Sequence, residues 1–304
     1  MTRQIYRQSA YGFVLLSSLF ILACSPFNDE DYFEPEKTNS YALDSYQGDT
    51  GFQLDSSYSI DNTLFQEIKL ESNDGKTTTN IVGIYVGDVN KININKVIVY
   101  CHDKSKNIDY YWPRIKLLAK TGLEDFGIFI IDYRGYGKSD GKPDEHGLYA
   151  DINTAIVWLE EQGLTGDRLI MYGFGLGSAV AIELTESPRS LTPAKIILEA
   201  PIASFESLIQ DTTLQSTPPS YISELEFNNI DKIKNITQPL MWLHGTEDKV
   251  YNIDTQGQIL YDQHPGTENF AFRVEGANHN TVPQNFISGL DGYVNNVLAF
   301  ISND

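Results

Sequence analysis

From Leu64 onward, short apolar runs alternate with segments whose apolar residues recur every three or four positions. Val97–Cys101, Gly127–Asp132, Arg168–Tyr172, Lys195–Leu198, Pro239–Leu243 and Phe270–Val274 are short and almost wholly apolar, the pattern of strands buried on both faces. In Leu148–Glu161, the residues Ile152, Ile156 and Leu159 fall on one stripe, which predicts a helix; Trp112–Lys120, Ser178–Leu184 and Phe286–Ile301 read the same way. Leu64–Leu70 and Ile81–Gly87 flank Asn73-Asp74-Gly75, which predicts an opening hairpin. Strands separated by amphipathic helices predict an α/β fold: a mostly parallel central sheet with helices on both faces. Residues 200–238 are longer than an ordinary connection and leave room for a small cap.

Upstream of Leu64 the pattern changes. Arg3 and Arg7 precede an apolar run from Ala10 to Ala23. As a helix this run covers about 21 Å, short of a hydrocarbon core of about 30 Å. Residues 1–23 therefore read as a signal peptide rather than a spanning helix. The ending Ile21-Leu22-Ala23-Cys24 resembles a bacterial lipobox. That resemblance implies lipidation of Cys24 and a lipid anchor in the bacterial cell envelope, with Ser25 pointing to the outer membrane. An ordinary cleaved signal peptide with an incidental Cys24 is the alternative. Residues 24–63 are polar, acidic and aperiodic, as in Asn28-Asp29-Glu30-Asp31-Tyr32, and read as a tether that packs locally at most through its tyrosines. The domain is then 64–304.

At 41% hydrophobic and 12% aromatic, 304 residues can bury one large core. The formal net charge is -19, and it becomes more negative when Arg3 and Arg7 leave with the leader. Such a surface excludes nucleic acid and electrostatic docking on anionic lipid, which leaves the N-terminal lipid as the membrane contact. The second cysteine, Cys101, has no disulfide partner if Cys24 is acylated. Cys101 and His102 are adjacent on a strand and point to opposite faces, so they make a poor nucleophile–base pair. No glycine-rich phosphate cradle and no set of metal ligands at useful spacing is visible, so no cofactor is expected.

The chemistry concentrates at Gly173-Phe174-Gly175-Leu176-Gly177, between the strand Arg168–Tyr172 and the helix Ser178–Leu184. This is the strand–turn–helix setting of a nucleophile elbow, with glycine where Gly-x-Ser-x-Gly carries its serine. Four further stretches follow in order and spacing: Asp132–Gly141, Leu198-Glu199-Ala200-Pro201, His244-Gly245-Thr246-Glu247-Asp248 and Gly276-Ala277-Asn278-His279. Together they resemble the α/β-hydrolase family, in the branch of serine-aminopeptidase-like bacterial hydrolases and protein depalmitoylases. Members cleave esters, thioesters or amides through a Ser-His-Asp triad. The resemblance implies Gly175 at the nucleophile position, Asp248 as the acid, with Glu247 a weaker candidate, and His279 as the base. It implies an oxyanion hole from the loop His102-Asp103-Lys104 and from the N–H of Leu176.

Two departures from the family pattern bear on function. Gly175 offers no hydroxyl. Asp103 replaces a small or polar residue and brings negative charge to a place where an oxyanion would develop, with Lys104 available to offset it. Ser178 lies about one helical turn past the elbow, too far to replace the missing serine. Two readings follow. One is a catalytically silent relative that binds an acyl-type small molecule or a protein ligand in the former acyl pocket. The other is a hydrolase, weak through a water activated by His279, or active in a form with serine at 175.

Overall fold

A computed structural model describes residues 32–303, apart from 121, 124 and 214–222. The leader 1–23 and Cys24 lie outside the described residues.

The opening hairpin is β2 (Phe65–Asn73) and β3 (Thr78–Val86), preceded by the two-residue β1 (Glu34–Pro35). Next come β4 (Lys96–Cys101), β5 (Ser105–Lys106), α1 (Ile108–Ala119), β6 (Phe126–Asp132) and α2 (Glu145–Glu161). The elbow region is β7 (Leu169–Phe174) followed by α3 (Gly177–Glu186), then β8 (Lys195–Glu199). The chain continues with α4 (Phe205–Thr213), α5 (Asn229–Lys232), β9 (Leu240–Gly245), α6 (Gly257–Gln263), β10 (Asn269–Val274), α7 (Val282–Asn285) and α8 (Gly289–Ser302).

Eight strands form one sheet in the order β10-β9-β8-β7-β4-β6-β3-β2. β2 pairs antiparallel with β3, and β3 antiparallel with β6; the remaining pairings are parallel. The sheet separates two cores. One contains Leu148, Ile152, Ile156 and Leu159 of α2 with Ala179 and Ile182 of α3. The other contains Tyr111, Trp112 and Ile115 of α1 with Val294, Val297 and Phe300 of α8. The predicted mostly parallel sheet with helices on both faces is thus observed. Strand order reverses around β4 and β7, and open α/β sheets place their ligand sites at such a switch point, beyond the carboxyl ends of the strands.

Residues 32–63 correct the expectation of a free tether. Tyr32 and Phe33 are buried in one core, Phe52 and Ile60 in the other, and β1 pairs in parallel with β5. The aperiodic pattern concealed this because the segment anchors by single, widely spaced side chains rather than by a continuous face. No helix among the described residues is long and apolar enough to cross a membrane.

Candidate functional site

The turn between β7 and α3 is tight. Gly175 has φ +55°, a left-handed conformation that costs a side-chain-bearing residue energy. Gly177 is needed for a different reason: a Cβ there would lie 2.0 Å from the carbonyl oxygen of Cys101, so only glycine lets α3 approach β4 this closely. The N–H of Gly175 donates to the Glu199 carbonyl at 3.0 Å, tying the turn to the end of β8.

The space in front of Gly175 is filled by Asp103. A Cβ built on Gly175 would stand 2.2 Å from Oδ1 of Asp103 and 2.3 Å from its Cγ. The Leu176 N–H donates to Oδ1 at 2.7 Å, and His279 Nε2 lies 3.2 Å from Oδ2. The Tyr251 hydroxyl donates to Oδ1 at 3.4 Å. Asp103 is thus a carboxylate at the N-terminus of α3, where free N–H groups and the helix dipole favour an anion.

His279 sits between two carboxylates. Its Nδ1 lies 2.9 Å from Oδ2 of Asp248, which also lies 3.3 Å from His244 Nε2. The other Asp248 oxygen accepts the N–H groups of Val250 and Tyr251 at 2.8 and 3.0 Å. Phe174 stacks on the imidazole, with ring centroids 4.9 Å apart. Burial works against charge on His279, but hydrogen bonds and charge from Asp103 and Asp248 outweigh it and push the imidazole up to about 9. Burial likewise opposes the Asp103 and Asp248 carboxylates. Hydrogen bonds from His279 and Leu176 nonetheless hold Asp103 below the usual range, and those from His244 and His279 hold Asp248 well below it. At neutral pH the row is carboxylate, imidazolium, carboxylate, and each imidazole nitrogen donates to one of the flanking acids.

The chain resembles known proteins at two levels. A model of the alpha/beta hydrolase fold matches residues 96–213. Human Alpha/beta hydrolase domain-containing protein 17B is 37% identical over 158 residues, covering 51% of this chain and 51% of that protein. Mouse Alpha/beta hydrolase domain-containing protein 17C is 35% identical over 156 residues, covering 51% of this chain and 46% of that protein. The chain spans about half the length of the curated relatives it matches. Among solved structures, an esterase from Pyrococcus furiosus superposes with a TM-score of 0.63 at 17% identity, over 89% of this chain and 97% of that one. The fold is that of the α/β hydrolases.

In α/β hydrolases the residue after the nucleophile and the loop after an early strand supply the oxyanion donors. Here the corresponding loop, His102-Asp103-Lys104, is heavily braced. His102 is buried, and its Nδ1 lies 2.7 Å from the Asp103 carbonyl; a carbonyl can only accept, so Nδ1 carries the proton. Burial brings the His102 pKa down to about 4, so the ring is neutral. The Tyr133 hydroxyl donates to the His102 carbonyl at 2.8 Å, and the Tyr136 hydroxyl donates to the Lys104 carbonyl. The Asp132–Gly141 stretch therefore supports the site through its tyrosines. Its Arg134 faces away, donating to Asp151 at 2.9 Å and pairing with Asp74.

The structure brings Gly175, Leu176, Asp103, His279 and Asp248 together. Two expectations change. Asp103 was expected to contribute backbone to an oxyanion hole; instead its side chain takes the Leu176 N–H. Lys104 does not offset that charge: its Nζ pairs with Glu34 and lies 5.3 Å from the Tyr32 ring centroid. His279 is buried, and the space between it and Gly175 holds the Asp103 carboxylate. Ser178 is also buried, and its Oγ accepts the Ile202 N–H at 3.1 Å.

Sequence reasoning missed Tyr251, Tyr32 and Arg114. Arg114 pairs with Glu199 at 2.7 Å and lies 3.8 Å from the centroid of Phe174, behind His279. A glutamate ending the apolar strand Lys195–Glu199 was the available signal, since a buried acid requires a buried cation.

Proposed function

We propose that this chain is a catalytically silent relative of the serine hydrolases, which uses the former acyl site to bind a ligand or partner. One observation carries the reading: the Asp103 carboxylate fills the volume a serine side chain on residue 175 would need, and takes the Leu176 N–H that would stabilise an oxyanion. Loss of the serine alone costs a working triad on the order of 10⁶ in turnover. The residual activity of such enzymes comes from the oxyanion hole and substrate binding. Asp103 opposes that remainder too, because an anion in the hole repels a developing oxyanion.

Hydrolysis by a water activated at His279 is disfavoured for a separate reason. A general base must be unprotonated and within reach of its water. The His279 ring is pushed up to about 9 and held by an acid at each nitrogen.

The N-terminal lipid belongs to the same proposal. If Cys24 is acylated, eight Cα-to-Cα steps separate it from the buried Tyr32. Fully extended, they span about 28 Å at most. The site would then stand close to the membrane, in the bacterial cell envelope, rather than at the end of a long tether.

The test is direct. Purified protein is treated with a serine-directed fluorophosphonate and assayed with short-chain p-nitrophenyl esters beside a His279→Ala variant. No covalent adduct and equal background turnover are expected. An adduct on Ser178, or turnover that His279→Ala abolishes, would overturn the silent reading and leave the fold untouched.

A further inference from the structure

One hydrogen-bonded tyrosine pair away from Asp103, the chain's own residues 32–38 form a strap beside the site. Backbone contacts hold the strap on two sides. The N–H groups of Glu34 and Glu36 donate to the Lys104 and Lys106 carbonyls at 2.9 and 3.1 Å. The Thr38 N–H donates to the Gly137 carbonyl at 3.0 Å, and the Gly137 N–H returns to the Glu36 carbonyl at 2.9 Å. Asn107 adds a side-chain amide to the same Glu36 carbonyl at 3.1 Å. The contact is a short parallel pairing of β1 with β5; where a peptide pairs in this way, backbone gives affinity and side-chain pockets give selectivity.

The side chains supply that selectivity. Tyr32 enters a pocket beside Phe205, with ring centroids 5.1 Å apart, and Phe227, at 6.1 Å. Its hydroxyl lies 3.0 Å from that of Tyr251, which in turn donates to Asp103. Phe33 is buried next to it, against Phe227. Two residues on, the register becomes acidic: Glu34 pairs with Lys104, and Glu36 with Lys106 at 3.0 Å. Glu34 and Pro35 themselves are exposed. The groove therefore reads an aromatic pair followed by acids at alternate positions, and it does so on a chain of net charge -19, where basic residues are scarce.

Resting on the reading of this site as a binding site, we infer that the groove along Lys104–Asn107 is a peptide-binding site, filled in cis by residues 32–38. The ligand it takes in trans is an extended segment of the same chemistry: two consecutive aromatics, the first a tyrosine, then acids at alternate positions. Binding in trans requires the strap to leave, so the strap sets the threshold. A competing peptide meets an effective concentration of tethered strap in the millimolar range.

The experiment uses the full chain and a fluorescent synthetic peptide of sequence DYFEPEKTN. In a Tyr32→Ala/Phe33→Ala variant the cis strap loses its anchors. This variant should bind the peptide at least tenfold more tightly than the unmodified chain, and added salt should weaken the binding. A peptide with both aromatics replaced by alanine should not bind. Equal affinity of the two proteins, or of the two peptides, would overturn the inference. If the variant fails to fold, amide exchange of the unmodified chain replaces it. Excess peptide should then deprotect the Glu34, Glu36 and Thr38 amides, and unchanged protection at saturating peptide overturns the inference. Light scattering on the unmodified chain should show a monomer; a dimer that dissociates on strap mutation would place the strap on a second copy and overturn the cis assignment. None of these outcomes bears on ester turnover, which alone decides whether the site is silent.

Discussion

The two halves of the proposed site differ more than their separation suggests. On one side of His279, Asp248 accepts two backbone N–H groups and the imidazole N–H. On the other side, the place for an attacking hydroxyl and its oxyanion donor is taken by a single carboxylate. On the silent reading proposed above, the acid–base half is kept for its structural role. A buried imidazolium between two acids is worth keeping only while both acids remain, and each acid only while the imidazolium does. The comparison teaches that a His–Asp pair alone is no evidence of catalysis where the hydroxyl is missing and a carboxylate stands in its place.

The largest effect that could break this comparison is a gain of activity. Gly175→Ser alone should give no hydrolysis and a lower Tm, because its Cβ would stand 2.2 Å from the Asp103 carboxylate. Asp103→Gly alone frees the hole but supplies no nucleophile. Asp103→Gly with Gly175→Ser should raise short-chain ester hydrolysis about 10³-fold or more over either single variant, since one transition state needs both changes. Equal activity of the single Gly175→Ser variant would show that the carboxylate moves aside freely, and the two halves would no longer be in conflict.

Removing the group the halves share should be the next largest effect. His279→Ala leaves Asp103 and Asp248 buried without their common cation, and unfolding free energy should fall by about 3–5 kcal/mol. Urea unfolding at pH 7 measures it. His279→Ala combined with Asp103→Asn should recover part of the loss, because one of the stranded charges is then gone. A single variant as stable as the parent would mean that the imidazole is a bystander.

The sign of the pH dependence sharpens the same point. A group whose folded pKa lies above its ordinary value stabilises the fold fully below that ordinary value and loses the contribution as pH rises through the folded one. For His279 the window runs from about 6.5 to about 9. Asp132, which burial pushes up to about 8, acts in the same direction from about 4 to about 8. Thermal stability should therefore decline between pH 7 and 9.5, and the decline should shrink in Asp103→Asn. In NMR spectra the His279 ring should remain charged at pH 7.5; a neutral ring there would reopen general-base chemistry.

How much of this was legible in the sequence follows from what sequence patterns encode. Strands β4, β6, β7, β8 and β9 were readable because each is buried on both faces and bounded by polar residues. The elbow, Asp248 and His279 were readable because each ends a strand in a recognisable local stretch. The direction of the Asp103 side chain was not. A substitution in a loop announces a change of charge, but whether that charge points out to solvent or into the hole depends on the braces from Tyr133 and Tyr136, about 30 residues downstream. The strap escaped for a related reason. Tyr32 and Phe33 bury themselves against Phe227, about 200 residues away in sequence, and no local period reports such a contact.

The smallest predicted effect separates the elbow from its nearest alternative. Ser178 carries a hydroxyl close behind Gly175 in the chain, yet its Oγ is buried and accepts the Ile202 N–H at 3.1 Å. That N–H belongs to the chain leaving β8, so the hydroxyl joins α3 to the segment that follows β8. Ser178→Ala should leave the Ile202 donor buried and unpaired, lowering unfolding free energy by about 1–3 kcal/mol. If Ser178 is only structural, any ester turnover of the unmodified chain must be the same in Ser178→Ala. The Asp103→Gly/Gly175→Ser variant should likewise keep its gained activity when Ser178→Ala is added. Loss of that activity with stability unchanged would assign the attack to Ser178 after all, and Asp103 would then be filling a place that was never the nucleophile's.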